Sequence, residues 1–203
     1  RNGPSPGHIG LIVDGNRRFA RGKGLELNEG HHEGSVKVKQ FLRWCFRLEI
    51  KVITLFGFST ENFNRSDEEV DYLMSLIMDQ LKQFQTDPEI ISERVKVKVI
   101  GRRENLSDEM NTVIDDVESM TASHDRFLLN IALSYGGRAE IIDAVKRIAG
   151  EVESGQLAIA DITEQSFSDY LYTVGVADPD LIIRTSGEER LSGFLLWQSA
   201  YSE

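Results

Sequence analysis

Five short apolar runs, rich in β-branched and aromatic residues, stand out along the chain. Runs of this length and composition predict β-strands, which we place at 9–13, 52–58, 95–100, 127–133 and 181–183. Only VKVKVI at 95–100 alternates apolar and polar residues, as expected for a strand with one wetter face. The other runs are nearly continuous, which favours strands buried between two layers of helix.

Between these runs, apolar positions recur at the spacing of an α-helix. The stretch 70–84 has a wide apolar face, and Ser66 followed by Glu69 predicts a capping box that starts this helix. Ser107 predicts the start of a second helix, and 141–152 forms a third apolar face. Strands that alternate with helices in this way predict the α/β class. We therefore expect a mostly parallel sheet with helices on both faces.

The composition narrows the class of protein further. We expect residues 1–203 to form one domain, because 203 residues with 40% hydrophobic composition can bury one sizeable core. The single cysteine, Cys45, excludes an internal disulfide and a cysteine-rich zinc site and suits the cytoplasm. A net charge of −10 argues against nucleic acid as a partner, since duplex binding depends on lysine and arginine. No apolar run approaches the roughly 20 residues that span a bilayer.

Charged or amide side chains follow four of the five predicted strands, where ligands gather in α/β sheets. The first strand is followed by Asp14, Gly15, Asn16, Arg17 and Arg18. A helix starting here would point free N–H groups at an anion, and the arginines would add forked donors for phosphate oxygens. Asp14 has the wrong sign for a phosphate unless Mg²⁺ bridges the two. The alternative, in which Asp14 caps the helix and the arginines face solvent, remains open.

The fifth strand is followed by a second cationic turn. Arg184 and Arg190 flank Thr-Ser-Gly, and Ser192 follows, an arrangement that suits oxyanions. Two such turns indicate two anionic groups, because local cations act even in an acidic chain when distant charges are screened. Surface arginines paired with neighbouring glutamates remain the alternative. The glycine motifs of nucleotide-binding proteins, the zinc-protease spacing and the G-x-S-x-G elbow are absent from the sequence.

Five segments, in order, resemble the cis-prenyltransferases, which include the undecaprenyl and dehydrodolichyl diphosphate synthases. They are HIGLIVDGNRRFA at 8–20, EGHHEG at 29–34, TLFGFSTENFNRS at 54–66, LNIALSYGGRAEI at 129–141 and DLIIRTSGEERLSGFLLWQSAYSE at 180–203. The sequences DGNRR at 14–18 and RTSGE at 184–188 resemble archaeal and eukaryotic members more than bacterial ones. The resemblance implies a six-stranded, largely parallel sheet, a homodimer, and peripheral contact with the membrane. It also implies a Mg²⁺-dependent condensation of isopentenyl diphosphate with an allylic prenyl diphosphate to a Z-configured product.

The resemblance assigns roles to individual positions. Asp14 matches the metal-associated carboxylate, and Glu203 matches a second one near the dimer interface. The allylic diphosphate is implied to contact Gly15, Asn16, Arg17, Arg18 and His31. The TLFGFSTENFNRS segment is implied to supply Ser59 and Asn62 at the reacting end, together with Phe58, Glu61 and Arg65. The isopentenyl diphosphate site is matched by Arg184, Arg190 and Ser192.

One position departs from the family pattern. Members usually carry an arginine four residues before the histidine of the EGH segment, and this chain has Leu27 there. A different starter, acceptor or coupling is therefore the main alternative, and a non-catalytic partner subunit is a second one. The apolar face at 70–84 suits a tunnel for a growing chain, with ordinary core packing as the alternative. The chain starts without methionine and stops at Glu203, so we expect trimmed ends and a missing C-terminal tail.

Overall fold

A computed structural model describes residues 5–203, in which five strands form one parallel sheet. The strands are β1 (His8–Ile12), β2 (Val52–Ser59), β3 (Val95–Ile100), β4 (Phe127–Tyr135) and β5 (Leu181–Arg184). Their order across the sheet is β3-β4-β2-β1-β5, and every neighbouring pair is parallel. All five predicted strands are confirmed, with bounds that differ by at most two residues. The α/β class is confirmed as well.

The helices lie between the strands in chain order. They are α1 (Asn16–Lys23), α2 (Leu27–Arg47), α3 (Asp67–Phe84), α4 (Pro88–Ser92), α5 (Asp108–Met120), α6 (Gly137–Glu153) and α7 (Glu164–Ser168). The start of α5 is confirmed, because the Ser107 hydroxyl accepts a hydrogen bond from the Met110 N–H at 3.2 Å. Within residues 5–203, no helix is both long enough and apolar enough to cross a membrane.

The predicted capping box at the start of α3 is wrong. Ser66 does precede the helix, but its side chain forms no capping hydrogen bond. The Glu69 side chain does not reach back to the Ser66 backbone; instead it is buried and contacts cationic side chains of neighbouring elements. Electrostatic partners in the folded chain thus override the local capping pattern.

The six-stranded sheet implied by the resemblance is also corrected, because residues 5–203 contain five strands. After β5 the chain runs through a series of turns instead of extending again. Only the backbone of Glu203 pairs with the outer edge of β5. Its N–H donates to the Asp180 carbonyl at 3.0 Å, and its carbonyl accepts from the Ile182 N–H at 2.8 Å. One residue pair does not make a strand, so β5 is the edge strand of this sheet.

The main core lies between the sheet and helices α2, α3 and α5. Ile53 and Leu129 at the centre of the sheet pack in one buried cluster with Phe46 of α2, Leu81 of α3 and Ile114 of α5. A smaller cluster forms around aromatic side chains, in which Phe56 stacks on Phe194 with ring centroids 4.8 Å apart and Tyr135 contacts both rings. This second cluster anchors the chain that follows β5 against the sheet.

Three buried polar side chains, His8, Thr54 and Asn130, form a hydrogen-bonded row across β1, β2 and β4. The His8 imidazole lies 2.6 Å from the Ala177 carbonyl through Nδ1 and 2.8 Å from the Thr54 hydroxyl through Nε2. Because a carbonyl only accepts, Nδ1 carries the proton and Nε2 accepts from Thr54. The Asn130 amide donates to the same hydroxyl at 3.3 Å. Burial lowers the pKa of His8, although the hydrogen bond to the Ala177 carbonyl and the nearby charges of Asp178 and Asp180 oppose the shift.

This lowered pKa predicts a loss of stability in mild acid. Below about pH 6.5 the unfolded chain binds a proton at His8 that the folded chain does not, so the free energy of unfolding falls by up to about 1.4 kcal/mol per pH unit. Urea unfolding at about pH 7 and pH 5.5 measures the loss. The His8→Gln variant should lose less over the same interval. An equal loss in both proteins would assign the pH dependence to other groups.

Candidate active site

The connection from β1 to α1 contains a turn that only glycine adopts without strain. Gly15 has φ 93° and ψ −2°, in the left-handed region, and α1 starts at the next residue. A Cβ atom on Gly15 would lie 2.5 Å from the Cβ of Ser186, which comes from the loop after β5. Gly15 therefore serves both the turn and the close approach of a second loop.

Hydrogen bonds join the loops that follow β1 and β5. The Thr185 hydroxyl accepts from the Asp14 N–H at 2.8 Å and donates to the Asp14 carbonyl at 2.6 Å. The Arg18 guanidinium donates to the Ser186 hydroxyl at 2.7 Å. The two cationic turns predicted from the sequence are thus brought together at the carboxyl edge of the sheet. In the sequence, Thr185 and Ser186 are noted only as part of the Thr-Ser-Gly turn, and their contacts with Asp14 and Arg18 come from the fold.

The carboxylate of Asp14 lies at the centre of this junction. Its Oδ2 atom accepts from Arg184 at 2.8 Å (Nη2) and 3.2 Å (Nε), and Arg18 lies 3.6 Å away. Its Oδ1 atom accepts from the Gly15 N–H at 2.6 Å. Burial alone would raise the pKa of Asp14, but the Arg184 and Gly15 hydrogen bonds outweigh it and lower the pKa below its usual value. Asp14 is therefore ionised at neutral pH.

A magnesium ion fits this site only in a restricted way. Across residues 5–203, no three histidine, cysteine or acidic side chains lie close enough together to hold a metal ion. Mg²⁺ commonly binds through one or two carboxylates together with substrate phosphates and waters, so Asp14 alone would suffice as its protein ligand beside a bound diphosphate. Glu203 pairs through its backbone with Asp180 and Ile182, near the amino end of β5. The fold does not bring it to Asp14 within one chain.

The loop after β5 supplies the second cationic group. Arg184 donates through Nη1 to the Ser192 hydroxyl at 2.8 Å and to the Arg190 carbonyl. Glu188 forms ion pairs with Arg190 and, at 3.0 Å, with Arg18. Pairing of arginines with a neighbouring glutamate, left open by the sequence, is therefore present. The Glu188 carboxylate bridges Arg18 of the first cationic turn and Arg190 of the second.

A buried carboxylate behind the first cationic turn was not predicted as a site residue. Glu69 is 6% exposed, and its Oε1 atom lies 2.8 Å from Nη1 of Arg65 and 3.2 Å from Nε2 of His31. Arg17 lies 3.8 Å from the same atom. The available signal was an acidic residue four positions after Arg65, on the apolar side of the predicted helix.

Two glycines of the EGHHEG segment explain how α1 and α2 come so close. A Cβ atom on Gly34 would lie 2.5 Å from the Asn16 amide nitrogen, and one on Gly30 would lie 2.6 Å from the Asn16 carbonyl. Because the two glycines are four residues apart, they lie on one face of α2. Asn16 at the start of α1 occupies the space that they leave, which fixes its amide beside the pocket.

The segment after β2 contributes a compact polar turn. The Asn62 amide oxygen accepts from the Ser59 N–H at 3.1 Å, which orients the Asn62 side chain. Ser59, Glu61 and Asn62 line a pocket of about 400 Å³ together with Asp14, Arg184 and Ser192. Phe58, predicted to contact substrate, is 1% exposed and packs edge-to-face on Phe63 at 4.9 Å. Phe58 thus belongs to the core and lines neither pocket.

A second, larger pocket of about 560 Å³ has one polar and one apolar part. Its cationic side chains outnumber its carboxylates by six to two, and they are Arg17, Arg18, Arg21, Lys39, Arg65 and Arg190 against Asp14 and Glu188. The apolar part includes the inner face of α3, with Leu73, Leu76, Ile77, Leu81 and Phe84. This face lines a pocket as well as the core, as a tunnel wall would. Leu27, at the start of α2, lines neither pocket.

Comparison with known proteins identifies the family. The family described as "Putative undecaprenyl diphosphate synthase" matches residues 12–203, and the chain belongs to this family of cis-prenyltransferases. It is therefore an enzyme of the prenyl-transferring class. Members act on prenyl diphosphates and are generally Mg²⁺-dependent.

Individual relatives support this assignment. The chain is 50% identical to a tritrans,polycis-undecaprenyl-diphosphate synthase (geranylgeranyl-diphosphate specific) of Thermoplasma acidophilum, over 98% of this chain and 78% of that protein. It is 49% identical to an isoprenyl transferase of Thermus thermophilus, over 100% and 79% of the two chains. The crystal structure of lavandulyl diphosphate synthase from Lavandula x intermedia, in complex with dimethylallyl diphosphate, superimposes with a TM-score of 0.94. That match has 35% identity over 98% of this chain and 85% of the other.

The close contact between α1 and α2 predicts that Gly34→Ala lowers both stability and activity. The added methyl group has no room beside the Asn16 amide, so we expect a loss of about 1–3 kcal/mol in the free energy of unfolding and a displaced α1. Gly22→Ala is the matched control, because nothing lies within 4 Å of its Cβ position. That variant should be unchanged or more stable by up to about 1 kcal/mol. Urea unfolding and activity assays compare the two, and similar behaviour would contradict the packing argument.

Proposed function

We propose that this enzyme condenses isopentenyl diphosphate with an allylic prenyl diphosphate to form a Z-configured prenyl or polyprenyl diphosphate. The observation that carries the proposal is the joining of two arginine-bearing turns at Asp14, at the polar part of a pocket whose other part is apolar. Two anionic groups and one apolar chain are what the two substrates present. The relatives named above support the same assignment.

Each group has a proposed task in this reaction. Arg17, Arg18 and the N–H groups at the start of α1 bind the allylic diphosphate, while Arg184, Arg190 and Ser192 bind isopentenyl diphosphate. Fixed guanidinium and N–H donors stabilise the charge that develops on a departing diphosphate without reorganising. Mg²⁺, held by Asp14 and phosphate oxygens, would add to this stabilisation.

The bond changes in the proposed reaction balance without an added reagent. The C–O bond of the allylic diphosphate breaks, and the diphosphate leaves with the electron pair. The double bond of isopentenyl diphosphate then attacks the allylic carbon, and the resulting cation loses one proton to form the new double bond. The departing diphosphate is the base that we propose for this proton. Asn62 and Ser59 lie in the smaller pocket beside Asp14, where the reacting ends would meet.

We further propose that the protein acts as a homodimer. Ile142 and Val145 on α6 are 50% and 47% exposed, and Tyr201 is 98% exposed, so apolar surface is available for a second copy. In such a dimer Glu203 of one subunit could serve the other, as the resemblance implies. Location in the cytoplasm and peripheral contact with the membrane stay predictions.

Asp14→Ala tests the proposed activity. With labelled isopentenyl diphosphate, Mg²⁺ and dimethylallyl, farnesyl or geranylgeranyl diphosphate, the unchanged protein should form organic-extractable product. The variant should lose at least about 100-fold in rate while its circular dichroism is unchanged, because the charge stabilisation at the reacting end is lost. Asp79→Ala on the exposed side of α3 is the matched control and should keep full activity. If the unchanged protein formed no labelled product with any of these starters, the proposed function would be overturned.

A second candidate is a different coupling of the same class of substrates. It is favoured by the similarity to lavandulyl diphosphate synthase and by Leu27, which stands where the family usually has arginine. Mass spectrometry and NMR of the product distinguish a linear Z-configured chain from a branched one. We expect a linear product, with Leu27→Arg altering the preference among starters and not the connectivity. A branched product from the unchanged protein would favour the second candidate.

A further inference from the structure

Glu69 has the wrong charge for its position. It lies in the first turn of α3, is 6% exposed, and stands directly behind Arg17, His31 and Arg65, which line the pocket where an anion is proposed to bind. A carboxylate near a diphosphate weakens binding through repulsion, and burial of an ionised carboxyl is itself unfavourable. The helix capping role expected from the sequence does not explain it either, because Glu69 forms no capping bond. Its position therefore requires another explanation.

The contacts of Glu69 supply one. A single oxygen atom, Oε1, lies within 4 Å of Arg65, His31 and Arg17. These three side chains come from three separate parts of the chain: α1, α2 and the connection between β2 and α3. No other acidic side chain of residues 5–203 forms a salt bridge with any of the three. Without Glu69, three cationic or potentially cationic groups would face one another with no counterion.

Charge effects on Glu69 agree with this arrangement. Burial would raise the pKa of Glu69, but Arg65, His31 and Arg17 together outweigh it and lower the pKa below its usual value. Burial lowers the pKa of His31, and Glu69 acts against that shift. The Glu69 carboxylate thus stays ionised, while burial keeps the pKa of His31 below its usual value even beside Glu69.

We propose that Glu69 is a positioning residue, which holds the guanidinium groups of Arg17 and Arg65 and the imidazole of His31 in the arrangement that receives the allylic diphosphate. The identity of that ligand rests on the proposed function; the positioning role does not. Donors that are already oriented lose less entropy when the anion binds. The gain from orientation exceeds the repulsion between Glu69 and the bound phosphates, which its distance behind the donors reduces.

The two effects of Glu69 predict opposite results for Glu69→Gln, which keeps the size of the side chain and removes its charge. If orientation dominates, inorganic pyrophosphate should bind about tenfold more weakly to the variant in isothermal titration calorimetry. If Glu69 only repels anions, pyrophosphate should bind more tightly. Equal or tighter binding would overturn the proposal. This measurement needs no turnover, so it stands even if the protein transfers no prenyl group.

Steady-state kinetics separate positioning from a general structural role. In Glu69→Gln we expect KM for the allylic substrate to rise about tenfold and KM for isopentenyl diphosphate to change less than about twofold, because the donors of the second site do not contact Glu69. A uniform loss of kcat with both KM values unchanged would contradict the proposal.

Two further variants control for folding and for charge. Glu68→Gln makes the same chemical change at the neighbouring, exposed position of α3 and should leave both substrates unaffected. Should Glu69→Gln fail to fold by circular dichroism, Glu69→Asp keeps the charge and withdraws it by one methylene. That variant should show the same selective loss for pyrophosphate and for the allylic substrate, and unchanged affinities in it would overturn the proposal.

Discussion

The contact between the loop after β1 and the loop after β5 is the constraint on which the rest of the site depends. These strands are parallel neighbours, with Ile12 opposite Arg184, so both chains emerge at the same edge of the sheet. Two hydrogen bonds between Thr185 and the Asp14 backbone hold the loops together, and Arg184 is directed at the Asp14 carboxylate. The two cationic turns therefore have a fixed separation, as a reaction between two diphosphate substrates would require.

Positive charge is concentrated at this site, which explains how an acidic protein can offer a candidate anion site. The chain has a net charge of −10, yet the larger pocket has six cationic side chains and two carboxylates. Each carboxylate in or behind the pocket is shared: Asp14 by Arg184 and Arg18, Glu188 by Arg18 and Arg190, and Glu69 by groups from three elements. Shared carboxylates orient guanidinium groups while leaving an excess of positive charge for a ligand.

Helix α3 serves the polar and apolar parts of the pocket at once. Its first turn carries Glu69 behind the cationic side chains, and its later turns present Leu73, Leu81 and other apolar residues to the same pocket. The helix rises about 22 Å between Glu69 and Phe84. One element therefore borders both the polar and the apolar parts of the pocket, and a shift of α3 would alter both.

The sequence by itself determined the elements and the chemical types available at their ends. The five apolar runs became the five strands, and Ser107 starts α5, because periodicity and capping are properties of neighbouring residues. Only the tertiary structure decided which residues meet. The strand order places β5 beside β1, so Arg184 donates to the carboxylate of Asp14, 170 positions earlier in the chain. The folded chain holds Glu69 away from its local cap, beside Arg17 and His31. It also buries Phe58 and keeps Glu203 away from Asp14, since these outcomes depend on packing between distant segments that no local pattern encodes.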